Sequence, residues 1–328
     1  MLIFLARRLF QAVLVMLAVA FIAFALFNYV GDPIDSMVGQ DTSLADRQQL
    51  RQELGLNDSF VVQFARFVGH AARGEFGLSY QQQRPVAQII LERMPATLEL
   101  SFVSAALALA LGVPMGIYTG LHRGSWLSQG LLGLSLVGVS LPTFLIGILL
   151  ILVFSVDLKW LPSFGRGSVV HFGWWTSGLV TRDGWRAIIM PSVTLALFQM
   201  TLIMRLVRAE MIEVLRTDYI KFARARGLSN RAINFGHALK NTLVPVITVA
   251  GLQLGSIIAF AIITETVFQW PGMGLMFIQA VSSVDIPVMA AYLMLVGFFF
   301  VIINLVVDLL YHVIDPRLRI DREQVGIG

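Results

Sequence analysis

Long apolar stretches, bounded by charged or turn-forming residues, recur along the chain. A helix rises about 1.5 Å per residue, so roughly 20 apolar residues are needed to cross about 30 Å of hydrocarbon. Each stretch reaches or approaches that length, and the pattern therefore predicts six membrane helices. Their approximate bounds are 9–30, 96–120, 130–156, 190–207, 243–264 and 288–311.

The overall composition agrees with a membrane protein. The chain has 328 residues, of which 57% are hydrophobic and 13% charged, whereas soluble proteins average about 45–50% apolar and about 25% charged. A water-soluble fold is excluded. The first apolar stretch exceeds the usual length of a signal-peptide core and lacks a small-x-small cleavage site before Gly31-Asp32-Pro33, which indicates an uncleaved anchor. Because cysteine is absent, disulfides, thiolate metal sites and cysteine nucleophiles are excluded.

The distribution of basic residues predicts how the chain is oriented. Of the 24 lysines and arginines, 14 fall in the N-terminus, the 121–129 turn, the 205–242 loop and the tail. These segments are the shorter alternating set, and basic residues are retained on the cytoplasmic side. Both termini are therefore predicted to be cytoplasmic, and the 31–95 loop to face outward.

Both long outward segments have an apolar or aromatic character. In the 31–95 loop, apolar residues at helical spacing predict short amphipathic helices lying against the membrane surface. The 157–189 loop is rich in tryptophan, which favours the headgroup zone. These segments are either an anchoring belt or a dock for a soluble partner. The residues concerned are Leu54, Leu56, Val61, Val62, Phe64, Phe67 and Val68 in the first loop, and Trp160, Trp174, Trp175 and Trp185 in the second.

Sequence signatures of catalysis are missing. The chain has no G-x-x-x-x-G-K-[ST], H-E-x-x-H or G-x-S-x-G motif, and its five histidines lack metal-ligand spacing. An enzyme is therefore disfavoured, and catalytic, cofactor-binding and metal-binding residues are all predicted to be absent. An ion-coupled carrier is a second alternative, for which Glu99, Glu265 and Asp308 would be the candidate groups. Each lies near a predicted helix end, and we expect each to reach headgroups or water.

The most informative segment is the predicted cytoplasmic stretch 217–245. Thr217 or Asp218 is placed to cap a short helix, Gly227 to end it in the left-handed conformation, and Ser229 to cap a second helix that ends near 241. Pro245 would then open the fifth span. Apolar residues are expected to be available for docking, although an ordinary surface turn fits the same pattern. These residues are Ile220, Ala223, Leu228 and Ile233.

Ordered motifs along nearly the whole chain resemble one family, the B-type inner-membrane permease subunit of bacterial dipeptide and oligopeptide ABC importers. That group includes glutathione, nickel and cationic-peptide relatives. The motifs are Arg7-Arg8, Gly31-Asp32-Pro33, Leu54-Gly55-Leu56, the segments 74–79, 95–100, 160–162, 218–229 and 237–245, and Glu265-Thr266-Val267-Phe268-Gln269-Trp270-Pro271-Gly272-Met273-Gly274.

The resemblance implies an all-α membrane protein with the type I ABC importer fold, six transmembrane helices and an extended outer loop between helices 1 and 2. It divides the chain into an anchor (1–30), an extracytoplasmic region (31–95), a permease core (96–311) and a cytoplasmic tail (312–328). The 217–245 stretch is similar to the EAA loop that docks on an ATPase. The implied coupling residues are Asp218, Tyr219, Ala223, Arg224, Ala225, Gly227, Leu228, Ser229, His237 and Asn241.

This copy departs from the general EAA pattern in three ways. Lys221 stands where a glutamate is expected, Phe222 replaces the first alanine, and 18 positions separate Gly227 from Pro245. The peptide-type members look alike in this respect. The docking role is therefore expected to hold, whereas individual contacts carried over from other importers are not.

Further expectations concern the complex. The resemblance implies a second homologous permease, two ATP-binding subunits that bind ATP and Mg²⁺, and an extracytoplasmic peptide-binding protein, all at the bacterial inner membrane. The substrate path is expected between the two permeases, and its residues are not identified. Di- or oligopeptides are the expected substrates, with glutathione-like peptides, nickel and other small solutes as alternatives.

Overall fold

The computed structural model, which describes residues 2–29, 43–53 and 57–314, is built almost wholly of helices and confirms the predicted all-α class. Two π-helical turns, Ile151–Asp157 and Ala232–Ala238, continue neighbouring α-helices. A short antiparallel hairpin joins β1 (Val170–Phe172) to β2 (Trp175–Ser177). The α-helices are α1 (Leu2–Tyr29), α2 (Leu44–Glu53), α3 (Phe60–Ala72), α4 (Val86–Leu121), α5 (Trp126–Ser140), α6 (Thr143–Leu150), α7 (Arg182–Val214), α8 (Asp218–Ala225), α9 (Leu239–Val267), α10 (Met273–Ser282) and α11 (Ile286–Ile314).

Four described helices are long and apolar enough to cross a membrane, and two bent helix pairs bring the total to as many as six. The third predicted span is not one continuous helix, because α5 and the 143–157 helix meet at 109°. Leu141, which precedes Pro142, is extended (φ −89°, ψ 134°). Proline disfavours helical geometry in the residue before it and has no N–H to donate, so the helix breaks here.

Glycine stripes bring helices into close contact within this chain. A Cβ at Gly112 or Gly116 in α4 would lie 2.9 or 2.6 Å from atoms of α7, so only glycine permits this approach. Gly251 of α9 faces Val307 of α11 in the same way. Both stripes are thus used for packing inside the subunit.

Two of the three candidate carrier carboxylates do not reach water, contrary to expectation. Glu99 is 5% exposed and Glu265 is fully buried. Arg166 Nη2 lies 2.5 Å from Glu99 Oε2, because the 158–169 segment folds back over α4. Glu265 accepts hydrogen bonds from the Thr97 hydroxyl (2.6 Å) and from the Leu275 amide (2.9 Å) in the first turn of α10. Both carboxylates therefore connect separate segments of the fold, and the Asp308 side chain lies outside the described residues.

The segment that follows α1 also differs from expectation. Phe64 and Phe67 of α3 pack on Phe24 of α1, with ring centroids 5.5 and 5.7 Å apart. Much of the apolar face of α3 is thus covered by protein and not by the membrane surface, although Val61 and Val62 remain exposed. The predicted contribution of Leu54 and Leu56 lies outside the described residues.

The tryptophan-rich loop retains an exposed aromatic surface. Trp160, Trp174 and Trp185 are 60%, 63% and 49% exposed, and the hairpin carries Trp174 at its turn. The same loop supplies Thr176, whose hydroxyl accepts a hydrogen bond from Arg166 at 2.8 Å. Whether this surface anchors the chain or binds a partner stays a prediction.

The helix directions place the alternating loops at opposite ends of the bundle. Gly112 and Gly120 of α4 contact Ile203 and Met211 of α7 in the same order, so these helices run parallel. Gly251 and Gly255 of α9 contact α11 in the reverse order. The 217–238 loop and the start of α1 therefore lie at one end, and the 57–85 and 158–181 segments at the other.

Which end faces the cytoplasm can be tested with single cysteines, because the chain contains none of its own. Gln82 and Asn230 are both exposed and lie at opposite ends. We expect an impermeant thiol reagent to label Gln82→Cys in intact cells and Asn230→Cys only after the inner membrane is opened. The reverse labelling pattern would contradict the predicted orientation.

Candidate coupling site

The helix α8 begins where the sequence predicts, but without the expected side-chain cap. Thr217 occupies the N-cap position, yet its hydroxyl donates to the Val214 carbonyl at 2.6 Å and accepts nothing from α8. Asp218 is the first helical residue and pairs with Lys221 at 2.8 Å. This hydrogen bond lowers the pKa of Asp218. The predicted cap is therefore wrong, because the threonine hydroxyl finds its acceptor in the preceding helix.

Gly227 ends this helix in the left-handed conformation, as predicted, with φ = +77°. The Gly227 amide donates to the Arg224 carbonyl (2.9 Å) and the Leu228 amide to the Ala223 carbonyl (3.3 Å). These bonds satisfy carbonyl groups that the helix end would otherwise leave unpaired. The chain is thereby turned sharply toward the next helix.

Ser229 caps the following helix, as predicted, because its hydroxyl accepts a hydrogen bond from the Ala232 amide at 3.3 Å. The helix does not stop near 241, however. The π-helical turn Ala232–Ala238 continues without a break into α9, which contains Pro245 in its interior. The predicted separation between the second loop helix and the fifth span is therefore wrong, and the two form one helical unit.

Three of the four residues expected to be available for docking are instead buried. Ile220 and Ile233 are 0% and 1% exposed and belong to a hydrophobic cluster with Val207 and Met211 of α7; Ala223, 7% exposed, lies in the same cluster. Helical spacing places Ile220 and Ala223 on one face, and that face anchors the loop to the membrane helices. Leu228 alone of the four is exposed.

A polar contact joins the two helices of the loop. Asn241 Nδ2 donates to the Tyr219 hydroxyl at 2.6 Å. The two residues are 22 positions apart in sequence and lie on opposite arms of the loop. Together with the buried cluster, this contact fixes the position of α8 relative to α9.

The opposite face of the loop is exposed, aromatic and basic. Phe222 is 65% exposed and Phe235 is 50% exposed, and the Arg226 guanidinium lies 5.9 Å from the ring centre of Phe222. Large exposed aromatics at the polar end of a helical bundle are typical of protein contact surfaces. All the predicted coupling residues except Ala223 are exposed as well: Asp218, Tyr219, Arg224, Ala225, Gly227, Leu228, Ser229, His237 and Asn241.

Phe222 and Phe235 were missing from the predicted coupling residues. Phe222 lies two positions from Ile220 and one from Ala223, so helical spacing turns it away from the anchored face. Phe235 lies two positions from the buried Ile233. Reading the apolar residues as two opposite faces, one packed and one exposed, would have identified both aromatics.

Comparisons with known proteins define the class of protein that carries this fold and loop. The family model described as "Binding-protein-dependent transport system inner membrane component" matches residues 112–320, and the model of its N-terminal part matches residues 1–101. The chain belongs to this family of membrane transport subunits.

Several relatives align over nearly the whole chain. A putative peptide transport system permease protein of Brucella abortus (strain 2308) is 38% identical and covers 96% of this chain and 98% of its own. The dipeptide transport system permease protein DppB of Alkalihalophilus pseudofirmus is 35% identical over 97% of this chain and 100% of its own. The glutathione transport system permease protein GsiC of Salmonella paratyphi A is 35% identical over 97% and 99%.

A solved structure shows the same fold. A chain of the MetNI methionine ABC transporter, in an inward-facing conformation, superposes with a TM-score of 0.55 and 18% sequence identity. The match covers 69% of this chain and 96% of that chain. At this identity the similarity establishes the fold, which is the predicted type I permease fold.

Proposed function

We propose that this chain forms half of a transmembrane pathway for di- and oligopeptides, driven by ATP hydrolysis in partner subunits. The observation that carries the proposal is the 217–241 loop, which is anchored on one face and exposes aromatic and basic residues on the other. Such a surface can receive a force from a partner because the other face of the loop is buried against α7. The names of the relatives support a peptide as the substrate.

The partners follow from the same reasoning. A second homologous permease would complete the pathway, two ATP-binding subunits would bind ATP and Mg²⁺ and dock on the 217–241 loop, and an extracytoplasmic binding protein would deliver the peptide. ATP-driven closure of the ATPases would then favour one conformation of the membrane helices over the other. The docked subunits would contact the two conformations differently, and closure would therefore shift the populations of these conformations. A glutathione-like peptide is the alternative substrate, supported by the relative that bears this name.

Reconstitution of the complex tests the substrate. We expect the complex of both permeases, the ATPases and the binding protein to accumulate dipeptides in proteoliposomes. The binding protein with its peptide should stimulate ATP hydrolysis. This chain alone should neither hydrolyse ATP nor accumulate peptide. Uptake by the lone chain on an ion gradient would instead support the carrier, and selective stimulation by glutathione would support the alternative substrate.

The docking surface is tested by a charge on its aromatic face. Phe222→Asp places a carboxylate where the proposed interface excludes water, and we expect loss of most of the copurifying ATPase, because hot-spot aromatics contribute about 2 kcal/mol or more. The fold should survive, since Phe222 packs outward. Phe172→Asp is the matched control, because Phe172 is similarly exposed (56%) at the other end of the bundle. Equal ATPase recovery in both variants would contradict docking at this face.

A further inference from the structure

A groove with two arginines in its largely apolar lining lies between α5 and α7. It encloses about 350 Å³ and is lined on one wall by Leu132, Ser135 and Leu136 and on the other by Arg205, Arg208 and Ile212. The two arginines are three positions apart and share one helix face. This volume is within the range of sites for small ligands, about 300–1,000 Å³.

The two arginines have no counter-ion among the described residues. Neither guanidinium forms an ion pair or hydrogen bond with the described part of the chain, and Arg208 Nε is buried without a partner. The neighbouring acidic residues Glu210 and Glu213 do not pair with them either. Two adjacent unpaired cations repel each other, and a half-buried one loses hydration, so the groove favours an anion.

The groove lies beside the broken third span. Thr201, four positions before Arg205, continues the same face of α7, and a Cβ at Gly138 would lie 3.0 Å from its hydroxyl. The Thr201 hydroxyl is buried and has no partner in the described chain. Polar groups thus run along α7 from the break toward the arginines. Charged residues of membrane helices face the bundle interior or a water-filled route, and broken helices line such routes.

The groove runs along the helices from their ends toward the break in the third span. Ile212 lies two positions before Val214, the last residue of α7. Ser135 lies nine residues after Trp126, the first residue of α5, which is about 13 Å of helix rise. The arginines lie between these two levels, so an anion entering from the helix ends meets them before it reaches the break.

We infer that Arg205 and Arg208 bind the C-terminal carboxylate of a peptide as it passes through the pathway. This inference rests on the proposed peptide substrate. A guanidinium matches a carboxylate through two parallel hydrogen bonds, and the carboxylate is the group that peptides share whatever their side chains. The site therefore holds peptides without selecting among sequences. Arg205 is exposed, which keeps binding weak enough for release.

The test compares a dipeptide with its C-terminal amide in the reconstituted complex. In the double variant Arg205→Gln/Arg208→Gln, we expect uptake of the free acid to fall by about tenfold or more, the usual effect of losing hydrogen bonds to a charged group. Uptake of the amide should not change. The concentration of binding protein that gives half-maximal uptake should also stay constant, and the Lys/Lys variant should retain much of the acid uptake.

Arg216→Gln is the matched control, because Arg216 is exposed just beyond α7 and does not line the groove. An equal loss for acid and amide, or unchanged uptake of both, would overturn the carboxylate site while leaving peptide transport intact. A loss seen only in liposomes with anionic phospholipid, and equal for both peptides, would assign the groove to a lipid phosphate. Failure of the parental complex to take up either peptide would instead refute the proposed function itself.

Discussion

Replacing Gly227 with valine is expected to abolish substrate-coupled transport in a complex that still assembles in part. Gly227 has φ = +77°, and no atom lies within 4 Å of the position its Cβ would take. The effect is therefore backbone strain and not a clash. A β-branched residue in this region costs about 1–3 kcal/mol. The chain relieves that strain by changing the turn between α8 and the following helix, which displaces the docking surface.

The measurement is ATP hydrolysis and peptide uptake by the reconstituted complex, where we expect residual hydrolysis that no longer responds to substrate. Gly227→Asn should be milder, because asparagine tolerates positive φ better than other non-glycine residues. Gly124→Val is the control, since Gly124 also has an open Cβ position but no positive φ. If all three variants transport at the parental rate, the turn has no part in coupling.

Removing Arg166 is expected to destabilise the chain more than any surface change. Arg166 is 7% exposed and pairs with the buried Glu99, and it also donates to the Thr176 carbonyl at 2.6 Å. Arg166→Met leaves a buried carboxylate without its cation, which costs about 3–5 kcal/mol. Because the pair joins α4 to the hairpin loop, that loop should also become sensitive to protease. Unfolding in detergent measures the first effect and limited proteolysis the second.

The double variant Glu99→Gln/Arg166→Met distinguishes the contribution of the ion pair to stability from that of the packing around it. Replacing both charges removes the uncompensated carboxylate, so most of the lost stability should return. Glu92→Gln is the control, because Glu92 pairs with Arg84 at an exposed site, and such pairs contribute about 0–1 kcal/mol. A double variant as unstable as Arg166→Met would show that the arginine acts through packing and not through charge.

The membrane helices were predictable because hydrophobic length alone specifies them. The Gly227 turn and the Ser229 cap were predictable too, since local backbone chemistry fixes them. The burial of Glu99 and Glu265 was not predictable, because it depends on how the chain folds back. Glu99 meets Arg166 of a distant loop, and Glu265 meets Leu275 across the turn that precedes α10. Sequence position near a helix end says nothing about whether a loop folds back over it.

The coupling loop shows the same division. Its turns follow from the residue types at the turns themselves. The burial of Ile220 and Ile233 depends on contact with α7, and helical periodicity shows that a face is apolar but not which helix covers it. The continuity of Ala232–Ala238 with α9 was missed because Pro245 was taken as a helix start. Proline is tolerated inside membrane helices when neighbouring groups satisfy the freed carbonyl.

Because Ala232–Ala238 continues into α9, the second loop helix and the fifth span form one helical unit. From Ala232 to Val267 the helical unit would measure about 54 Å if straight, and the two parts of α9 meet at 43° across Gly251–Gly255. This bend lies near mid-length, where Gly251 and Gly255 contact Val307 and Phe300. If an ATPase docks near Phe235 as proposed, we expect a displacement of the loop to turn the fifth span at this bend.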